Sequence, residues 1–134
     1  MPGLVTDTHA LLWYLLRSPK LSAVARNSIQ GTIESGHPLL VPTICLVEVI
    51  YLVEKGHLPG TAWERISEHL DQPRSGLELA PLDLGVAQSL QRIPRDLVPD
   101  MPDRIIAATA LHLGLPLVSR DQNIRDSGTV EIVW

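Results

Sequence analysis

The stretch TICLVEVIYLVEK, residues 43–55, decides the fold. Its β-branched and aliphatic side chains suit a strand. Its length does not, because a buried strand usually ends by about eight residues. Read as a helix, it is closed by Gly56, with Pro59 just beyond. The runs around it then fall into alternation. HPLLVP (37–42) before it and GLELAPL (76–82) after it are strands, separated by a second helix over 61–70. Upstream, GLVTD (3–7) is a strand, 8–16 a helix, and Ser22 caps a helix to about residue 33. Downstream, Asp83 caps a helix to about residue 92, and another spans 103–113, stopped by Gly114 and Pro116. PLVS (116–119) is a strand, a short helical turn follows Asp121, and VEIVW (130–134) is the last strand. The predicted architecture is α/β: one domain over 1–134, with a central, mostly parallel five-stranded sheet and helices on both faces.

Composition agrees. Apolar residues make up 45% and charged residues 19%, the balance of a globular rather than a disordered chain. At 134 residues, such a domain buries roughly two-thirds of its unfolded surface. The formal net charge of −4 argues against a protein that grips nucleic acid by overall positive charge. The cations are mostly arginine, which leaves room for a locally basic groove. Cys45 is the only cysteine, so an intrachain disulfide and a cysteine-rich zinc site are excluded. MPGLVTD (1–7) lacks the basic n-region of a signal peptide. The longest apolar runs are too short to span a bilayer. The expected compartment is the cytoplasm.

In a parallel α/β sheet the ligand crevice lies at the carboxyl ends of the strands. Asp7 ends the first strand, where it either caps the helix THALLWYLL or faces the crevice. Glu48 interrupts the apolar helix 43–55. Its i±3 and i±4 neighbours, Ile44, Cys45, Tyr51 and Leu52, offer no cation. A buried, unpaired carboxylate is costly, so Glu48 either lies on a solvent stripe or has a partner elsewhere in the fold. In VPDMPDRIIAATALHLGLPLVSRD (98–121), Asp100 as N-cap and Asp103 three residues later form a capping-box pattern, with Pro102 in the first turn. Capping does not need both acids, which leaves Asp103 free to face the crevice. Arg104 meets either a phosphate or solvent. Asp121 follows PLVS as a cap for QNIRD, a partner of Arg125, or a site acid. Ser119 supports that site or only ends the strand.

Asp7, Glu48, Asp103 and Asp121 therefore stand where this fold gathers a crevice. Two carboxylates about 5 Å apart at an effective dielectric of ~20 repel by roughly 3 kcal/mol. A pocket of several holds protons or a cation. Mg²⁺ or Mn²⁺, hard ions with oxygen ligands, answer that need. Such an ion suits phosphodiester hydrolysis, because it orients the phosphate and stabilises the developing charge.

LVTDTHALLWYL (4–15), PTICLVEVIYLVEKGHL (42–58) and DMPDRIIAATALHLGLPLVSRD (100–121) resemble successive motifs of the PIN domain, most closely the VapC-type toxins of bacterial toxin–antitoxin pairs. The resemblance implies an Mg²⁺- or Mn²⁺-dependent endoribonuclease on a parallel sheet flanked by helices. It places the family's metal-binding and catalytic acids at Asp7, Glu48, Asp103 and Asp121. Thr6, Thr8 and Ser119 become supporting residues, and Arg104 and Arg120 RNA contacts. Arg17, Lys20, Arg26, Arg92, Arg95 and Arg125 are further candidate phosphate contacts, with their shared face left open. The family also implies homodimers and a cognate antitoxin that covers the groove. One departure is local: the family often shows Asp-Pro ahead of Asp-Arg, whereas Asp100 is followed by Met101 and then Pro102, which favours Asp100 as a cap. Two other readings stand beside this one. The fold could serve as a non-catalytic interaction module, with Trp13, Tyr14 and Trp63 on a partner surface or in the core. An aspartyl-nucleophile phosphohydrolase would want a second Asp two residues after the first, where this chain has His9.

Overall fold

The structure is a computed structural model that describes residues 3–134. Met1 and Pro2, which begin the segment read above as unlike a signal peptide, lie outside the described residues. The strands are β1 (Leu4–Thr6), β2 (Leu39–Pro42), β3 (Leu77–Ala80), β4 (Leu117–Val118) and β5 (Ile132–Val133). The helices are α1 (Thr8–Leu15), α2 (Ala23–Glu34), α3 (Thr43–Glu54), α4 (Gly60–Asp71), α5 (Leu84–Ser89), α6 (Met101–Leu113) and α7 (Gln122–Ser127). The sheet has five strands in the order β3-β2-β1-β4-β5, and every pairing is parallel. Parallel pairing throughout follows from the alternation, since each strand is separated from the next by a helical crossover.

Most helix starts lie where the sequence puts them, because the starts are written locally; α6 begins at Met101 rather than 103, since Asp100 caps it. Ser22 accepts the amide of Ala25 at 3.0 Å and Asp83 that of Val86 at 3.0 Å. Asp100 accepts the amide of Asp103 at 3.1 Å. The segment 43–55 is helical, as its length requires; Cys45 and Val49 are buried and Ile44, Leu46 and Val53 pack against the core. The helix expected over 83–92 is shorter. α5 ends at Ser89 and tightens into a 3₁₀ turn, Leu90–Arg92. Pro94 explains this: it disfavours helical backbone at Ile93, which is extended at φ −99° and ψ 107°.

α6 is the central helix. Ile105 through Ala110 are all buried, so it is enclosed on every side over that stretch. Three alanines (107, 108 and 110) keep the helix slim where its neighbours approach. Thr109 satisfies its buried hydroxyl by donating to the carbonyl of Ile105 at 2.8 Å. Right-handed crossovers put the β1–β2 and β2–β3 connections on one face and the returning β3–β4 connection on the other. α3 packs on α4 and α5 on α6, and α3 also reaches α6. Among the described residues no helix is long and apolar enough to cross a membrane.

Candidate active site

The chain leaves β1 toward β2 and β3, then returns to place β4 on the other side of β1. The carboxyl ends of β1 and β4 thus flank a topological switch point, where α/β sheets form their crevices. Asp7 directly follows β1, and Ser119, Arg120 and Asp121 follow β4. The N-terminal turn of α6 delivers Asp103 to the same place. Here a cavity of about 220 Å³ is lined by Asp7, His9, Trp13, Asp103, Arg120 and Asp121.

Each acid is held by a different device. Asp7 is buried, and its Oδ1 accepts the amide of Ala10 at 2.8 Å, capping α1. Burial pushes its carboxyl above the usual aspartate range; hydrogen bonds from Ser119 and Ala10 oppose the shift. Asp121 caps α7 through the amide of Ile124 at 2.9 Å, and its own N–H donates to Ser119 Oγ at 3.0 Å. Ser119 thus ties the acids after β1 and β4 together. Asp103 is relieved of capping by Asp100. Its carboxyl is pushed up to about 8, first by burial, then by the charges of Asp121 and Asp100, by a hydrogen bond with Asp121, and by Glu48. Crowding by these carboxylates favours the neutral form of Asp103.

Glu48 does not line the cavity. It is half-buried on α3, and Thr8 Oγ1 donates to its Oε1 at 2.5 Å. Desolvation raises its carboxyl, and the Thr8 hydroxyl opposes this. Its charge still reaches Asp7 and Asp103. So three of the four sequence-predicted acids wall one cavity, and the fourth stands behind it on a threonine.

The supporting residues divide likewise. Thr8 and Ser119 touch the acids. Thr6 turns away: its hydroxyl donates to the carbonyl of Asp7 at 3.1 Å, and its own carbonyl faces Cys45 Sγ at 3.9 Å. The two arginines part company. Arg120 places its guanidinium 4.6 Å from the centroid of Trp13, at the cavity. Arg104 is a staple: its Nε donates to Ile93 O at 2.8 Å and its Nη2 to Leu90 O at 3.1 Å. That holds the 3₁₀ turn against α6 and leaves Arg104 away from the lining.

Sequence reasoning did not foresee the aromatic wall. Trp13 sits with its ring 5.7 Å from that of His9 and 5.9 Å from that of Trp134. Trp134 comes from the end of the chain, past β5, and no local pattern links it to α1. Trp13, Tyr14 and Trp63 are half-buried and pack against the core.

The sequence profile of the PIN domain matches residues 4–128. The chain belongs to the PIN domain family. This PIN domain is 26% identical over 130 residues to Ribonuclease VapC22 of Mycobacterium tuberculosis, a match covering 93% of the chain and 92% of the relative. Its fold is shared with the crystal structure of VapBC2 from Rickettsia felis bound to a promoter DNA fragment, at a TM-score of 0.73 and 14% identity over 97% of this chain and 96% of that one. DNA-bound VapBC from Salmonella typhimurium gives a TM-score of 0.69 at 21% identity, over 98% and 97% of the two chains.

The donor set of this PIN domain is chemically suited to a hard divalent cation. It offers carboxylate oxygens, crowded enough to hold one proton well into the neutral range. The acids do not form a finished cage. Among the described residues no group of three or more Asp, Glu, His or Cys side chains is gathered closely enough to hold one ion.

Proposed function

We propose that this PIN domain is a metal-dependent endoribonuclease, a toxin neutralised by a cognate antitoxin. The observation that carries the reading is the convergence of Asp7, Asp103 and Asp121 on one cavity that also holds Arg120. The relative named Ribonuclease VapC22 and the VapBC structures support the substrate class and the partner. A homodimer, the arrangement implied by the resemblance, is part of the same proposal, as is the cytoplasm as its compartment.

Asp7, Glu48, Asp103 and Asp121 would hold Mg²⁺ or Mn²⁺. When bound, such an ion supplies the positive charge that a phosphodiester needs as it reacts. The chain's own residues do the rest. Loss of the Asp103 proton frees its carboxylate for the cation. Thr8 and Ser119 fix the acids so that little reorganisation is needed. Arg120, braced on Trp13, offers a planar donor fork to a phosphate oxygen. His9 and Trp13 give an unpaired base a flat surface at the cavity mouth.

The test is cleavage of total cellular RNA by the purified chain with Mg²⁺ or Mn²⁺, with and without EDTA. Metal-dependent fragments that disappear in Asp7→Asn and Asp103→Asn support the reading. Full activity in either folded variant overturns the assignment of the acids. Inertness toward RNA with both metals, together with tight partner binding, would make the fold an interaction module.

A further inference from the structure

A second cavity is larger than the acidic one. It measures about 730 Å³ and lies between the end of α1, α2, α4 and the 3₁₀ turn Pro73–Ser75. Four arginines line it: Arg17, Arg26, Arg65 and Arg74. No carboxylate is among its described lining residues. In a chain of net charge −4 this concentration of cations is local and one-sided. Glu34 stands near Tyr14 at its border.

Arg17 carries a second clue. α1 ends in two overlapping turns: Ser18 N–H donates to Trp13 O at 2.8 Å and Arg17 N–H to Tyr14 O at 3.3 Å. This closure needs a left-handed residue after the cap, a place strongly favoured for glycine. Here it is Arg17, at φ +54°, the only non-glycine residue with positive φ among those described. Local physics would choose glycine, and the chain keeps a guanidinium that projects into the arginine cavity.

α1 also connects the two cavities. His9 and Trp13 are spaced by four and share one stripe of the helix, and Tyr14 and Leu15 at its end border the arginine cavity. His9 and Trp13 line the acidic cavity; Arg17 lines the basic one. α1 is eight residues and about 12 Å long, within reach of one extended strand of a few nucleotides.

We propose that the arginine cavity binds backbone phosphates of the RNA strand flanking the cleaved bond, with α1 and its C-terminal turn as the track between the two cavities. The proposal rests on the ribonuclease reading and deepens it. Planar guanidiniums suit phosphate oxygens, and Arg17, Arg65 and Arg74 can contact successive phosphates without reading sequence, while Arg26 donates to Ser18 O at 3.0 Å and shapes the wall. An acidic peptide is the competing occupant.

The experiment measures binding, not cleavage. A fluorescent single-stranded RNA 12-mer is titrated onto Asp103→Asn protein without divalent metal, across a salt series. The same is done with Arg17→Gly and Arg65→Gln/Arg74→Gln added. Arg17→Gly is expected to melt no lower than its parent, since glycine suits that backbone. It should bind RNA about 3- to 10-fold more weakly, with a salt slope shallower by roughly 0.7; the double variant should lose more on both counts. Unchanged affinity and slope in these variants overturn the track and leave the cleavage result untouched. Loss of a polyglutamate peptide with RNA binding intact also overturns it, and makes the cavity a protein-docking site. If the 12-mer binds none of the proteins, the proposal fails even where the acidic site still cleaves RNA.

Discussion

Thr8 and Glu48, separated by forty positions, are joined by a hydrogen bond of 2.5 Å from Oγ1 to Oε1. Thr8 opens α1 beside Asp7, and Glu48 lies in the middle of α3. The bond therefore links the first acid's helix to the second acid. Thr8→Val keeps the shape and removes the donor. It should stay folded, and the Mn²⁺ concentration giving half-maximal cleavage should rise about tenfold, as for other outer-shell partners of metal sites. Thr8→Ser should restore most of the loss. An unchanged Mn²⁺ titration in Thr8→Val would show that Glu48 acts without this tether.

Asp103 makes stability depend on pH in an unusual direction. Its folded carboxyl sits at about 8 against an ordinary 3.8. Between those values the folded state binds more protons than the unfolded one, so stability falls as pH rises through the window. Its contribution is fully present below about 4 and lost above about 8. Thermal melts in EDTA from pH 5 to 8.5 should fall for the wild type and flatten in Asp103→Asn. Added Mg²⁺ should raise the melting temperature more at pH 8 than at pH 5.5, because at the lower pH the cation competes with the proton. A wild-type curve parallel to that of Asp103→Asn would count against a raised Asp103 carboxyl.

Arg104 separates a structural cation from a binding one. Its two bonds to Leu90 and Ile93 carbonyls are charge-assisted. Arg104→Ala should lower stability by about 1–3 kcal/mol in denaturant unfolding. RNA affinity measured well below the new midpoint should hardly change. Arg120→Ala should do the reverse: little loss of stability, weaker RNA binding and slower cleavage.

Gly76 is a backbone constraint on β3. Its φ is +80°, and a β-carbon there would stand 2.7 Å from both Cγ1 and Cγ2 of Ile33. Gly76→Ala should destabilise by about 1–3 kcal/mol, combining strain with a clash. The companion change Ile33→Ala removes both Cγ carbons, so Gly76→Ala should cost less in that background than in the wild type; urea midpoints of the single and double variants would decide.

These contrasts also show why some of the molecule could be read in one dimension. Caps at Ser22, Asp83 and Asp100 bind amides three residues on, so a window of four residues contains the whole interaction. Acids after β1 and β4 were legible because the sheet rule turns strand ends into a place. The position of Glu48 behind Thr8 was not, since it depends on how α3 meets α1. Nor was the staple at Arg104, whose acceptors are carbonyls and carry no sequence signature. The aromatic wall needs Trp134 beside Trp13, and the arginine cavity draws on four separate segments, so no spacing along the chain could have shown either.

Asp7 and Asp121 each commit one oxygen to the first turn of a helix, through the amides of Ala10 and Ile124. Those two N–H groups are consequently native reporters. A change in the electron density of either carboxylate will alter the bond it accepts, and with it the nitrogen and proton resonances of its donor. Titrating ¹⁵N-labelled protein with a cation or an oligonucleotide would let Ala10 and Ile124 signal occupancy at Asp7 and Asp121 separately, with no extrinsic probe attached.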